Sequence, residues 1–250
     1  MSGHSKWSTI KRAKGAADIK RGLTFTKVAN AITIAAKLGG SADPSSNPRL
    51  RMVLEQARSV NMPKDNIQRA IDKGLGNLPG QEVEEVLYEG FGPGKIAIIA
   101  EGVTDNRLRT NQEVKNLFER SGGHLGGQGS VLYMFDKVGE IKTTSKGGNS
   151  EDEMLELMDT GAQDLEDFES DGVKNYLLYT SPTKLFEVSN KVAQLGYSVD
   201  TAELVYKPNL TTKITEKETA ERVINFIERL EENDDVQKVY ANFEFEDNLL

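Results

Sequence analysis

An α+β fold is predicted for this 250-residue chain: a helical N-terminal domain, then two mixed domains, one inserted in the other. Three observations point there. Apolar residues recur at helical spacing between Phe25 and Ile71. After Gly80 short strand-like runs alternate with helices. Residues 138–207 read β-α-β-β-α-β, the order of the ferredoxin-like motif.

The elements follow in order. Residues 1–22 are rich in Ser, Gly, Lys and Arg with few large apolar side chains, and read as an extended or partly helical basic arm. Phe25, Val28, Ala29, Ile32, Ala35 and Ala36 then mark a helix that Gly39-Gly40 stops. A turn-rich loop, Ser41 to Pro48, leads to a second helix opening near Pro48, with Leu50, Val53, Leu54, Ala57 and Val60 as its stripe. A third follows Asn61-Met62-Pro63, with Ile67, Ala70 and Ile71 inward and Gly74 as its cap.

Gly76–Gly80 reads as a linker. Strands are predicted over Val83–Gly90 and Ile96–Val103, with a hairpin turn between them that exposes Lys95. A helix runs from Asn106 to Arg120, then a glycine-rich loop from Gly122 to Gly129, then a strand over Ser130–Phe135. The inserted motif comprises a strand at Gly139–Thr144, a helix opened by Ser150 with Glu153 completing a capping box, and a strand pair at Asp164–Glu169 and Lys174–Thr180. Its second helix runs from Ser181-Pro182 to Leu195, and its last strand spans Tyr197–Tyr206. Thr215 and Glu218 form another capping box, ahead of a helix with Ala220, Val223, Ile224, Ile227 and Leu230 inward. Val236–Phe245 is a closing strand. One helix and one strand cannot make a domain alone. The expected division is therefore 1–79, 80–137 with 208–250, and 138–207.

The net charge of -8 hides two electrostatic objects. Residues 1–80 hold 14 Lys and Arg against 5 Asp and Glu, a net of +9; residues 81–250 hold 17 against 34, a net of -17. The basic part suits phosphate, each cation displacing a counterion. Its candidates are Lys6, Lys11, Arg12, Lys14, Lys20, Arg21, Lys27, Arg49, Arg51, Arg58, Lys64 and Arg69. Trp7, the only Trp, either stacks on a base or fills a hydrophobic notch, and the burial habit of large aromatics favours the notch. The acidic part reads as a spacer or protein-contact surface.

Other chemistry is largely excluded. With no cysteine and two histidines, disulfides, thiol catalysis, Cys-ligated zinc and multi-His metal sites are ruled out. Gly90 to Lys95 fails the phosphate-loop pattern, because Glu89 and Ile96 stand where Gly and Ser or Thr are required. The Gly122–Gly129 loop either approaches a nucleic-acid backbone with bare amides or simply connects a helix to a strand. His4 and His124 belong to no nucleophile motif. The ten acids of residues 151–171 read as solvated faces, with no EF-hand spacing. No catalytic constellation emerges, which leaves an enzyme on phosphorylated small molecules, using Lys95, the glycine loops and clustered carboxylates, as the remote alternative, and no cofactor or metal is expected. No stretch is apolar enough to cross a membrane.

Several segments stand together in order: Gly3-His-Ser-Lys-Trp7, Lys20-Arg21-Gly22, Phe25-Thr-Lys27, Asn47-Pro-Arg-Leu-Arg51 and Asn61-Met-Pro-Lys-Asp-Asn66. Tyr88-Glu-Gly-Phe-Gly-Pro-Gly94, Thr104-Asp-Asn-Arg107 and Gly129-Ser-Val131 continue the series. Together they resemble the YebC/PmpR family, whose relatives include the mitochondrial translational activator of cytochrome c oxidase. The resemblance implies three domains and a non-enzymatic, cytoplasmic protein directed at nucleic acid, either duplex DNA in transcription regulation or ribosomal RNA in translation. Its intact arm motif adds His4 and Trp7 to the candidate contacts. Leu23 stands where the family usually has Lys, Lys95 where it has Gly, and Tyr133 where Trp is common.

Overall fold

The computed structural model describes residues 17–78, 82–170 and 172–246, with side chains from residue 25 onward. In chain order the elements are α1 (Ala17–Gly39), α2 (Pro48–Ser59), α3 (Lys64–Gly74), β1 (Glu84–Phe91), β2 (Ala97–Thr104), α4 (Arg107–Arg120), β3 (His124–Leu125) and β4 (Phe135–Thr144). Then come α5 (Ser150–Met158), β5 (Asp164–Ser170), β6 (Val173–Thr180), α6 (Leu185–Gln194), β7 (Ser198–Pro208), β8 (Thr212–Ile214), α7 (Lys217–Glu231), β9 (Val236–Ala241) and β10 (Phe243–Phe245). The fold is α+β, as expected. The described residues form two compact units: 17–131 with 214–239, and 132–213 with 240–246.

In the first unit, α1 to α3 close around Val28, Ile32, Leu50, Ala57, Ala70 and Ile71, the residues of the predicted stripes. Ile32 and Leu50 are fully buried, each contributing about 2 kcal/mol by area. Buried Asn47 organises the loop between α1 and α2: its Oδ1 accepts from the Leu50 amide at 3.0 Å, and its Nδ2 donates to the Ala35 carbonyl at 2.9 Å. α1 already begins at Ala17, so Lys20 and Arg21 lie within a helix, the partly helical alternative for the arm. One expectation changes here. Gly74 is the last helical residue, not a cap. A Cβ there would stand 2.3 Å from the Thr33 carbonyl, so glycine is needed for α3 to lie against α1, and the left-handed turn falls at Gly76.

The sheet of this unit has the order β3-β1-β2-β9. β1 and β2 pair antiparallel, with Glu84 opposite Thr104 and Phe91 opposite Ala97. Phe118 of α4 and Phe226 of α7 meet edge to face at 4.9 Å, which brings the late helix onto the early one. Ser130–Phe135 is not a strand. A short 3-10 turn spans Leu132–Met134, because the Gly129 and Val131 amides donate to the buried Glu89 carboxylate, at 2.7 and 3.0 Å, instead of to a strand. The α7 capping box is also absent: Glu216 is the cap residue, and no side-chain capping bond forms. Phe226 is buried where Ile224 was expected, since it falls on the face toward α4.

The second unit carries a sheet of order β5-β6-β4-β7 with antiparallel pairs throughout, the ferredoxin-like order. α5 and α6 cover one face, burying Ile141, Leu157, Tyr176, Leu178, Val188 and Val192. A 3-10 turn at Pro182–Lys184 precedes α6. Asn149, not Ser150, caps α5, accepting from the Glu151 amide at 2.9 Å. Glu153 is buried rather than solvated. It accepts from Ser145 Oγ at 2.6 Å, Tyr176 Oη at 2.8 Å, and the Lys146 and Gly148 amides at 3.0 Å. Burial opposes its ionisation, but these four donors win and hold its pKa below the ordinary 4.5. The expected closing strand divides at Asn242, whose carbonyl accepts from the Thr212 amide at 2.6 Å; β10 thereby pairs with β8.

Candidate nucleic-acid interface

The structure sorts the basic candidates by what they touch. His4, Lys6, Trp7, Lys11, Arg12 and Lys14 lie outside the described residues, as do the side chains of Lys20 and Arg21. Lys27 donates to the carbonyl of Glu231, the last residue of α7, where a cation also complements the helix dipole. Arg49 forms an exposed ion pair with Glu85. Arg51 donates to the carbonyls of Pro44 and Ser45, at 3.1 and 3.4 Å, and so braces the loop before α2.

Arg58, Lys64 and Arg69 differ. All three are exposed, and none of their side chains has an ion-pair or hydrogen-bond partner among the described residues. Arg58 occupies the last turn of α2 and Lys64 the first residue of α3. The turn between the helices is tight: the Met62 amide donates to Ala57 at 2.9 Å and the Asn61 amide to Arg58 at 3.0 Å, with Asn61 at a φ of 56°. Arg58 and Lys64 therefore flank one corner. Arg69 lies five residues on, about 140° around the axis from Lys64, so the three do not form one stripe. Lys73, also expected on the polar side of α3, stands 4.0 Å from Asp105.

The cavity of this unit does not suit phosphate. It measures about 560 Å³ and is lined by Asp105, Glu113, Glu232, Asp234 and Asp235 against Lys73 and Arg109. Asp235 accepts from Thr110 at 2.6 Å and Arg109 at 2.9 Å, so the motif Thr104-Asp-Asn-Arg107 builds a strand-to-helix corner. There, Thr104 accepts from the Asn106 amide and Asn106 caps α4. The glycine-rich loop is likewise engaged internally. Besides Gly129, the Gly126 amide donates to Glu89 at 2.7 Å and the Gly123 amide to Phe118 at 2.9 Å. Sequence reasoning missed Glu89 as the organiser of this loop; its place between Tyr88 and Gly90, away from Glu84 and Glu85 at the start of the strand, was the available signal. No group of His, Asp and Glu able to hold a metal is found among the described residues. No described helix is long and apolar enough to cross a membrane.

Comparison with known proteins places these features in a wider set. Residues 5–77 match the TACO1/YebC protein N-terminal domain, and residues 83–243 match the TACO1/YebC second and third domain. A probable transcriptional regulatory protein of Sulfurihydrogenibium sp. is 45% identical over 251 residues, covering 100% of this chain and 98% of that one. One of the same description from Geobacter sulfurreducens is 46% identical over 244 residues, covering 98% and 96%. The crystal structure of a conserved hypothetical protein, Aq1575 of Aquifex aeolicus, superimposes with a TM-score of 0.85 at 41% identity, covering 95% of this chain and 96% of that one.

Proposed function

The chain belongs to the TACO1/YebC family, and from that membership and its charge pattern we propose that it is a non-enzymatic regulator of gene expression that grips the phosphate backbone of a nucleic acid. The observation that carries the reading is the charge division: a net of +9 over residues 1–80, with Arg58, Lys64 and Arg69 exposed and unpaired among the described residues. The acidic remainder stays off phosphate by its sign and orients the molecule. The basic residues of 1–27 belong to the same grip, with Arg49 recruited at little cost, since an exposed ion pair is worth about 0–1 kcal/mol. The reading goes with a cytoplasmic protein of three domains, 1–79, 80–137 with 208–250, and 138–207.

Duplex DNA is the target that the relatives' names support. Ribosomal RNA is the second reading, favoured by α3. Gln68, a residue type that reads bases, is held by Asp72 at 3.1 Å, and Lys73 lies near Asp105. The free groups of α3 are then Asn66 and two cations, Lys64 and Arg69, that suit backbone and shape. Co-sedimentation with ribosomes at low and high salt, with DNase present throughout, separates the two. Salt-sensitive migration with ribosomes assigns the grip to ribosomal RNA. Protein left at the top of the gradient at low salt assigns it to DNA, and selection on duplex fragments follows.

A further inference from the structure

The basic and acidic parts of the chain meet along one seam of the first unit. Lys37 lies in the last turn of α1, Arg49 in the first turn of α2 and Lys73 in the last turn of α3. Gly74 sets the end of α3 against Thr33 and Ala36, and the Asn47 side chain ties the start of α2 to Ala35. The three cations are therefore gathered at one end of the helices. Across the seam, Glu84 pairs with Thr104, so Glu82, Glu85 and Asp105 stand together at the end of the β1–β2 hairpin away from its turn.

Each cation meets one of these carboxylates. Lys37 donates to Glu82 at 2.8 Å and to the Val83 carbonyl at 2.9 Å, Arg49 donates to Glu85, and Lys73 lies 4.0 Å from Asp105. In every pair the cation comes from residues 1–80 and the carboxylate from the remainder. The pairs contribute little to holding the seam, because both members of each stay partly exposed. An apolar pin of Ile34, Val83 and Val103, all buried, does that. Nor are the cations saturated. Arg49 gives Glu85 one of its five donors, Lys73 is beyond hydrogen-bond distance of Asp105, and Asp105 is shared with Arg109 at 3.2 Å. A phosphate offers such cations the same kind of charged acceptor as a carboxylate.

We propose that Glu82, Glu85 and Asp105 are a built-in competitor of phosphate, and that Lys37, Arg49 and Lys73 form a second row of backbone contacts, which a nucleic acid uses only by displacing them. The proposal rests on the phosphate-binding reading above and adds the regulation of that grip, with Lys37 and Lys73 as further members. A polymer that offers a phosphate to each cation at once displaces the carboxylates; a single phosphate lacks that multiplicity and does not.

The test exchanges carboxylate for amide in the full chain and reads anisotropy with a labelled duplex and a labelled ribosomal RNA fragment. Glu82→Gln with Glu85→Gln and Asp105→Asn should raise affinity about tenfold at ~0.1 M salt. It should steepen the slope of log K against log salt by up to about 3, since three cations regain displaceable counterions. Adding Lys37→Ala, Arg49→Ala and Lys73→Ala to that variant should abolish both gains, and the same three changes should cost less in the unaltered chain. Glu218→Gln with Glu221→Gln and Glu228→Gln removes three carboxylates of α7 that have no ion-pair partner among the described residues, and should raise affinity less than twofold. Equal gains from the two sets of acids overturn the proposal, because net charge alone then explains them. A gain that survives loss of the three cations overturns it too. If neither the unaltered chain nor the seam variant binds either nucleic acid, the phosphate-binding reading has failed and the proposal with it. Should the triple exchange fail to fold by circular dichroism, Glu85→Gln alone, with and without Arg49→Ala, decides: a gain of about twofold that Arg49→Ala cancels is expected, and no gain overturns the proposal.

Discussion

The helical part of the first unit and the sheet of the second use the same side chains in opposite ways. On α2 and α3, Arg58, Lys64 and Arg69 stand in solvent with no partner among the described residues. In the second unit Lys146, Lys174, Lys191 and Lys207 each meet a carboxylate, at 2.8, 2.9, 2.7 and 2.6 Å. Counting cations does not distinguish these regions. What matters is whether the fold has already neutralised them. A free cation brings a condensed counterion layer that phosphate can displace, and a paired one has little left to release. The acidic body therefore differs from the basic part in the availability of its charge as well as in its sign.

The largest effect expected from this contrast is on binding. Arg58→Ala with Lys64→Ala and Arg69→Ala should weaken nucleic-acid affinity 10²- to 10³-fold at ~0.1 M salt and lower the slope of log K against log salt by about 3. Lys146→Ala with Lys174→Ala and Lys191→Ala should change neither. Anisotropy titrations of a labelled duplex and a labelled ribosomal RNA fragment across salt concentrations check both. Equal losses from the two triple variants would erase the distinction between free and paired cations.

A second effect tests how firmly the body is tied. Glu153→Ala strands the Ser145 and Tyr176 hydroxyls and two amides, and should cost about 3 kcal/mol in urea unfolding. The pH dependence has a defined sign. The folded pKa of Glu153 lies below the ordinary 4.5, so its contribution is fully present above 4.5 and is lost as pH falls below it toward the folded value. Glu153→Gln should flatten that acid limb. Glu156 and Asp164 shift the same way, but they sit in exposed ion pairs of small worth.

A third test addresses the scaffold under the free cations. Gly74→Val places a Cβ 2.3 Å from the Thr33 carbonyl oxygen and 2.9 Å from Ala36 Cβ. Neither can yield without parting α3 from α1, so a loss of about 2 kcal/mol is expected in thermal unfolding. Binding should fall with it, because Lys64 and Arg69 ride on α3.

Much of this architecture is legible from period alone. The stripes of α1 to α3 and the strand order of the second unit follow from apolar spacing, because burial of one face is a local property of sequence. What the sequence conceals is long-range. Gly74 looks like a helix stop, since nothing nearby reveals that Thr33 will lie against it. Glu153 looks like a surface acid among ten, since its donors come from the loop at 145–148 and from Tyr176 on β6. Lys27 and Arg51 read as phosphate candidates, and nothing nearby reveals that Glu231 and the carbonyls of Pro44 and Ser45 also claim them. Arg58, Lys64 and Arg69 carry no mark in sequence that separates them from the cations so claimed.

Lys95 gives the smallest and most pointed test. It is an exposed cation of the body without an ion pair among the described residues, so by charge alone it resembles Arg58. Its backbone suggests a different origin. Lys95 closes the turn between β1 and β2 at a φ of 59°, donating its amide to the Gly92 carbonyl at 3.1 Å. A side chain in that left-handed conformation costs about 1 kcal/mol relative to glycine, which fits the family's usual Gly at this position. Lys95→Gly should therefore raise the unfolding free energy by about 1 kcal/mol, somewhat less after the entropy that glycine adds to the unfolded chain. It should leave nucleic-acid affinity and its salt slope unchanged. A slope smaller by about 1 would instead make Lys95 a phosphate contact whose strain is retained for binding, and the boundary between the basic grip and the acidic body would have to be redrawn to include the β1–β2 turn.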